Sequence, residues 1–452
     1  MPKNYFIQLE LINIMSTKSP VLHIVHCIDT EGPLIEDIYA TFNRLESIFG
    51  FKLKPTKENL EAIQNKKIDF GGLEDSIART FSSELLKYNT NWTEISEMLE
   101  RALSSSYRRK VVDDFDNGWV YSWHCMDHLN YFDNPRRKDI GYGNIFRYYK
   151  QKLEETNSYL DEINWHFHPL SLTKNPTHTA SSYVNNYDVL MQIICRRILE
   201  DDWFPVVNRP GFHTERPDSH SFLEHWIPFD YANQVVEGKQ DQHELNFGRF
   251  ADWQRASQSW RGFHPSHNDY QLEGNCNRLI FRILNIGTRH RELTVKHFHE
   301  AFREAKEKGG AIIAFADHDY RDITPDVDQA RKMLLAVRDQ YSEVKIKFSG
   351  AEAAACELLG YDTKASPKIE LHLEGNRLVI KLTEGEIFGP QPFLSIKTKD
   401  GRYFHDNLDV VEPRKIWSYV FDEQTLSLES LKMVGIGTAG RYGKYTVEKI
   451  TF

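Results

Sequence analysis

The chain has 452 residues, with 56 basic against 65 acidic side chains and a net charge of −9, which excludes a broad cationic footprint for nucleic acid or an anionic membrane. Five widely spaced cysteines, Cys27, Cys125, Cys195, Cys276 and Cys356, include no CxxC pair, so neither a disulfide framework nor a thiolate zinc site is expected. The opening residues MPKNYFIQLELINIM carry one lysine and an apolar run broken by Gln8 and Glu10, a poor signal peptide and too short a membrane span. A cytoplasmic protein with an N-terminal extension over 1–20 is therefore expected.

In chain order, strand-like and helix-like runs then alternate, the pattern of βα units building a parallel sheet or barrel. The apolar run from Val21 to Ile28 predicts a first strand, and Ile38, Phe42, Leu45 and Ile48 share one face of the helix after it. Residues from about 51 to 115, rich in Lys, Glu, Ser and Asn, read as a helical insertion. Strands are predicted at Trp119–Trp123, Ile163–His168, Phe204–Asn208, in LIFRILNIG, at Ala311–Asp319 and in VKIKF, most of them followed by a helical pattern. Ser349 and Glu352 have capping-box spacing ahead of the last helix. Seven or so units predict a closed or nearly closed α/β barrel over 21–360. From about residue 367 the pattern alternates, with a hairpin at Glu374-Gly375-Asn376, and a small sandwich-like β domain is expected over 367–452.

Four of the predicted strands end in polar groups, where α/β folds place their chemistry. Asp29 and Glu31 are two residues apart, so on an extended chain they face the same side and can share a metal or divide into base and ligand. His166 and His168 in NWHFHPL alternate in the same way; two imidazoles with a carboxylate are a common recipe for a catalytic zinc-type site. NRPGFHTERPDSH supplies Arg209, able to buttress a carboxylate, and His213. In AFADHDY, His318 lies between Asp317 and Asp319, which predicts a raised pKa and a proton-donating imidazolium. His124 and His128 have a metal-like spacing but follow a strand, so they are read as pocket-lining. Trp123, His213, Asp319 and the loop residue His264 join them as substrate-binding candidates. Aromatics at 13% and 19 histidines suit a carbohydrate site, since rings stack on sugar C–H faces and imidazoles hydrogen-bond hydroxyls.

In this order, acid pair, histidine pair, Arg-Pro loop and late His-Asp, the chain resembles the polysaccharide deacetylase superfamily, of the NodB-homology or carbohydrate esterase family 4 type, over roughly 21 to 359. DTEG, Asp29 to Gly32, is similar to the motif carrying a catalytic base and a metal-ligand acid, though Glu31 stands where Asp is usual. An alternative alignment makes Asp29 the ligand and puts Cys27 at the base position. EINWHFHP departs from the usual spacing, with only Phe167 between its histidines. The resemblance implies a distorted (β/α)7 barrel, a divalent metal such as zinc held by Glu31, His166 and His168, Asp29 as base oriented by Arg209, and His318 as acid. It implies hydrolysis of an N-acetyl group on a sugar, in surface polysaccharide synthesis for example. Two rivals stand beside it: a catalytically silent glycan-binding barrel, and a glycosidase using Asp29 or Glu31 with another acid.

Overall fold

The run VLHIVHCIDT forms β1 (Val21–Thr30), buried along nearly its whole length, as a parallel strand covered on both faces must be. This computed structural model describes residues 19–176, 182–238, 252–288, 291–361 and 366–452; apart from its last two residues, the expected extension over 1–20 lies outside them. Beside β1 run β2 (Tyr121–Cys125), β3 (Glu162–Phe167), β4 (Val207–Pro210) and β5 (Phe229–Asn233). A short antiparallel pair follows, β6 (Pro265–Ser266) with β7 (Asp269–Glu273), before β8 (Leu279–Asn285) and β9 (Gly310–His318) complete the ring. Because β1 pairs with both β2 and β9, seven parallel strands close into a barrel surrounded by helices. An eighth strand, β10 (Lys345–Phe348), pairs with β1 over Val21–Ile24, on the edge that β2 takes over from His26. β1 has ten residues and β2 five, so without β10 the first half of that edge would lack backbone partners.

After β1, α1 (Ile38–Phe49) is opened by Asp37, whose side chain accepts from the Ala40 N–H, and closed by Gly50 in the left-handed region at φ 77°. The expected insertion is helical: α2 (Lys57–Gln64), α3 (Glu74–Thr80), α4 (Trp92–Ala102) and α5 (Ser105–Arg108). It divides in two. Phe42, Leu45 and Ile48 of α1 join Ile63, Phe70 and Phe81 in a small separate core, whereas Ile95, Met98 and Leu99 of α4 enter the main one. The first half is thus a cap with its own core.

The remaining helices are α6 (Asn144–Glu155), α7 (Tyr187–Asp201), α8 (Pro217–Trp226), α9 (Val295–Lys308), α10 (Thr324–Arg338) and α11 (Ala351–Leu359). The predicted Ser349–Glu352 capping box does not form. Gly350 is the N-cap of α11, Ser349 Oγ bonds His23 Nδ1 at 3.0 Å, and the N–H groups of Glu352 and Ala353 donate to the Glu162 carboxylate at 2.8 and 2.9 Å. A carboxylate from β3 has replaced the local cap, and only glycine admits it, since a Cβ on Gly350 would lie 2.2 Å from Glu162 Cδ.

The C-terminal region holds β11 (Lys368–Glu374), β12 (Arg377–Glu384), β13 (Phe393–Thr398), β14 (Tyr403–Phe404), β15 (Asp409–Glu412), β16 (Ile416–Val420), β17 (Leu431–Ala439) and β18 (Tyr445–Thr451). They form two antiparallel sheets, ordered β11-β12-β16-β15 and β14-β13-β17-β18. Leu378, Ile380 and Trp417 of one sheet share a core with Leu394, Val434 and Ile436 of the other, and β11 and β12 are the predicted hairpin. Phe393, Tyr403 and Ala439 belong to the barrel's core, and Lys397 pairs with Glu200 of α7 at 2.8 Å. This region is therefore packed onto the barrel and not strung beside it.

Candidate metal centre

In the barrel, Asp29 is the register partner of His124 on β2 and of His318 on β9, while His166 is the partner of Arg209 on β4. Register partners on adjacent parallel strands project to the same face, so the polar tips of β1, β3, β4 and β9 converge at the barrel's C-terminal end. The apolar runs bury the strand bodies; the tips carry the polar groups.

Three of these side chains form a cluster capable of holding a metal ion. The ligand atoms of Glu31, His166 and His168 all lie within 4.8 Å of one another, with His166 Nε2 2.9 Å from His168 Nε2 and His168 Nε2 3.9 Å from Glu31 Oε1. His166 Nδ1 donates to the Arg209 carbonyl at 2.6 Å, which fixes the ring and turns Nε2 to the site, as an outer hydrogen bond does for a ligand histidine. Burial holds His168 neutral, its pKa pushed down to about 3, with the neighbouring His166 acting the same way. Burial alone would raise Glu31, but Lys138, His168, His318 and His128 together hold it well below the usual carboxylate range. Two imidazole nitrogens and an ionised carboxylate suit a divalent ion, and tetrahedral ligands at about 2.1 Å stand about 3.4 Å apart. The residues fit such an ion.

Asp29 lies beside this cluster. Arg209 Nε donates to Asp29 Oδ1 at 2.5 Å, and both residues are buried. Burial alone would raise the Asp29 carboxyl; Arg209, with His166 and His318, outweighs it and holds the pKa at about 2. Cys27, the alternative at this position, is buried and does not line the cavity, and burial pushes its thiol up.

His318 corrects the expectation of a raised pKa. Burial pushes it down to about 3, more than Asp29 and Glu31 raise it. Its sequence neighbours do not flank it in space, because adjacent strand residues point to opposite faces: Asp317 turns to His26 at 3.2 Å, and Asp319 accepts from the N–H groups of Glu31 and Gly32 at 2.7 and 2.9 Å. The acids near the His318 ring are Asp29 at 3.7 Å and Glu31 at 3.9 Å.

Asp29, Glu31, His168, His213 and His318 border one cavity, and the other expected substrate contacts lie elsewhere. Trp123 faces away from the barrel axis, packed on Tyr149 at 5.0 Å with Nε1 donating to Asp161. His124 is buried beneath the site, Nδ1 3.4 Å from the Trp165 carbonyl. His128 donates from Nε2 to the Glu31 carbonyl at 2.7 Å and accepts at Nδ1 from Tyr131 at 2.6 Å, so it shapes the turn after β1, as Asp319 does. His264 borders a different cleft, with Tyr361, Phe388 and Arg414, near the β region. Its loop runs away from the barrel mouth.

Sequence reasoning missed Lys138, whose Nζ lies 2.5 Å from Glu31 Oε2 and leaves Oε1 towards the histidines. No periodicity marks this loop lysine. Also missed were Arg44 and Tyr88, which the cap contributes to the cavity wall.

Gly211 closes the site from behind. A Cβ there would fall 2.3 Å from His168 Cδ2, and Phe212 and His213 both take φ of 53°, a region costly for bulky residues. Gly211→Ala is expected to displace the His168 ring and weaken divalent-ion binding by roughly 10–100-fold, the range for disturbing a ligand's support; chelator competition on the variant and the wild type measures it.

Among the described residues, no helix is long and apolar enough to cross a membrane. No model of a known protein family matches the chain, and a search of curated proteins finds no match.

Proposed function

We propose that this protein is a metal-dependent hydrolase that removes an N-acyl group, acetyl in the simplest case, from a sugar, in the manner of the polysaccharide deacetylase superfamily. The observation that carries this reading is the convergence of the Glu31, His166 and His168 cluster with the Arg209-held carboxylate of Asp29 and the imidazole of His318 on one cavity. A divalent ion held by Glu31, His166 and His168 would supply a Lewis acid and would activate a water near neutral pH. Zinc suits two imidazoles and one carboxylate.

The chain's own groups account for the protons. Asp29 is ionised throughout the working range and accepts a proton from the attacking water. His318 is neutral, so it cannot begin as the donor; with Nε2 3.7 Å from Asp29 Oδ2, it takes that proton and delivers it to the departing amine nitrogen. The water oxygen becomes part of the released carboxylic acid, the C–N bond breaks, and one proton passes from water to amine by way of two side chains; the water's second proton leaves with the acid, which ionises in solution. Arg209 keeps Asp29 charged and fixed.

Elemental analysis combined with acetate release from a panel of N-acetylated sugars tests this reading. Asp29→Asn is expected to keep the metal and lose about 10²–10⁴ in kcat, the usual contribution of a positioned acid or base. Activity equal to wild type in the variant, or a wild type that takes up no divalent ion on reconstitution, would sink it.

A further inference from the structure

Apart from Lys138, which holds Glu31, acyl hydrolysis leaves the charged wall of the cavity without a role. Tyr320 packs against His318 with 4.7 Å between ring centroids. Around the Tyr320 ring stand three cations: Lys138 Nζ at 4.5 Å, the Arg321 guanidinium at 5.0 Å and the Arg136 guanidinium at 5.8 Å from its centroid. All four residues line the cavity, together with Arg44. Lys138 is paired with Glu31 at 2.5 Å, and Glu36 is shared between Arg44 at 2.8 Å and Arg136 at 2.7 Å. Arg321 has no carboxylate at ion-pair distance among the described residues, and its NH2 group reaches only the Gly287 carbonyl, at 3.4 Å.

Inside a chain whose net charge is −9, four cations are thus met by two ion-paired carboxylates on one wall; the Asp326 carboxyl acts on Arg321 only from beyond ion-pair distance and is itself pushed up by burial. Gathering like charges around one ring costs repulsion that the ring's quadrupole offsets only in part. An anion bound there relieves it, and a cationic wall also steers anions into the cavity. The guanidinium of Arg321 is a planar fork suited to phosphate or carboxylate.

We propose that the wall formed by Arg321, Arg136 and Lys138 is an anion subsite, and that the substrate is an acidic or phosphorylated N-acyl sugar whose anionic group lies on Arg321 while its acyl group meets Asp29 and His318. This rests on the hydrolase reading above for the chemistry, but not for the anion site itself. Tyr320 touches both His318 and Arg321, so the anion subsite adjoins the groups that meet the acyl group.

The test compares kcat/KM for N-acetylglucosamine, N-acetylglucosamine 1-phosphate and an N-acetylated aminouronic acid in wild type, Arg321→Gln and Arg321→Lys, each checked for folding by circular dichroism. Either charged sugar is expected to exceed the neutral one by about 10–100-fold in wild type, the worth of a charge-assisted hydrogen bond. That ratio should collapse in Arg321→Gln and partly survive in Arg321→Lys, and the better charged sugar tells phosphate from carboxylate. A ratio near one in wild type, or one unchanged in Arg321→Gln, overturns the proposal. If none of the three sugars is hydrolysed, the hydrolase reading fails for them and calorimetric titration with inorganic phosphate decides the anion site alone. Binding about tenfold weaker in Arg321→Gln supports it; equal binding, or none in wild type, overturns it.

Discussion

His166→Ala is expected to abolish stoichiometric divalent-ion binding while the barrel remains folded. The imidazole supplies one of three ligand atoms, and its other nitrogen is committed to the Arg209 carbonyl at 2.6 Å. Loss of an outer partner that merely orients a ligand costs about 10–100-fold in affinity; loss of the ligand itself should exceed the upper end of that range. Metal content after reconstitution and dialysis reads the effect, and far-ultraviolet circular dichroism reports the fold. His168→Ala, on a side chain 13% exposed at the rim, serves as the second variant should His166→Ala fail to fold. Retention of one ion per chain in both variants would show that the cluster is not the metal site.

Arg209→Met carries the largest expected effect on stability. The guanidinium and its partner Asp29 are both buried, and removing one member of a buried pair leaves an uncompensated charge at a cost of about 3–5 kcal/mol. The pH dependence follows from the Asp29 carboxyl, held at about 2 against its ordinary 3.8. In the wild type this depressed pKa contributes stability that is present above about pH 4 and lost as pH falls towards 2. In the variant burial is no longer offset by Arg209, so the carboxyl moves up and ionisation becomes destabilising. The difference between the two proteins is therefore expected to be greatest at pH 7 and to shrink on acidification through pH 4. Urea unfolding at the two pH values measures it; a difference that grows towards low pH would mean that Arg209 acts on some other group.

The barrel strands are legible in the sequence because parallel strands covered on both faces must be continuously apolar, as VLHIVHC and AIIAFA are. The acids and histidines at their ends break that rule in a way solvent alone does not explain, and spacings of two suffice to put Asp29 with Glu31 and His166 with His168. The same rule, applied to His318, turns Asp317 and Asp319 away from it. Adjacency along the chain is not adjacency in space there, and in place of the expected imidazolium stands a half-buried neutral ring. Trp123 fails as a cavity residue for the same reason, since it neighbours His124 on β2 and so faces α6.

What the sequence alone determined is therefore local and periodic: which runs are strands, which tips are polar, and which pairs share a face. Tertiary structure alone decided which tips meet, that Lys138 from a loop holds Glu31, that Glu162 from β3 caps α11 in place of Ser349, and that three cations gather around Tyr320. Those contacts join residues far apart in the chain, and their strength comes from burial, which raises the worth of a correctly placed charge and the cost of a misplaced one. Burial is a property of the closed barrel, and no window of sequence contains it.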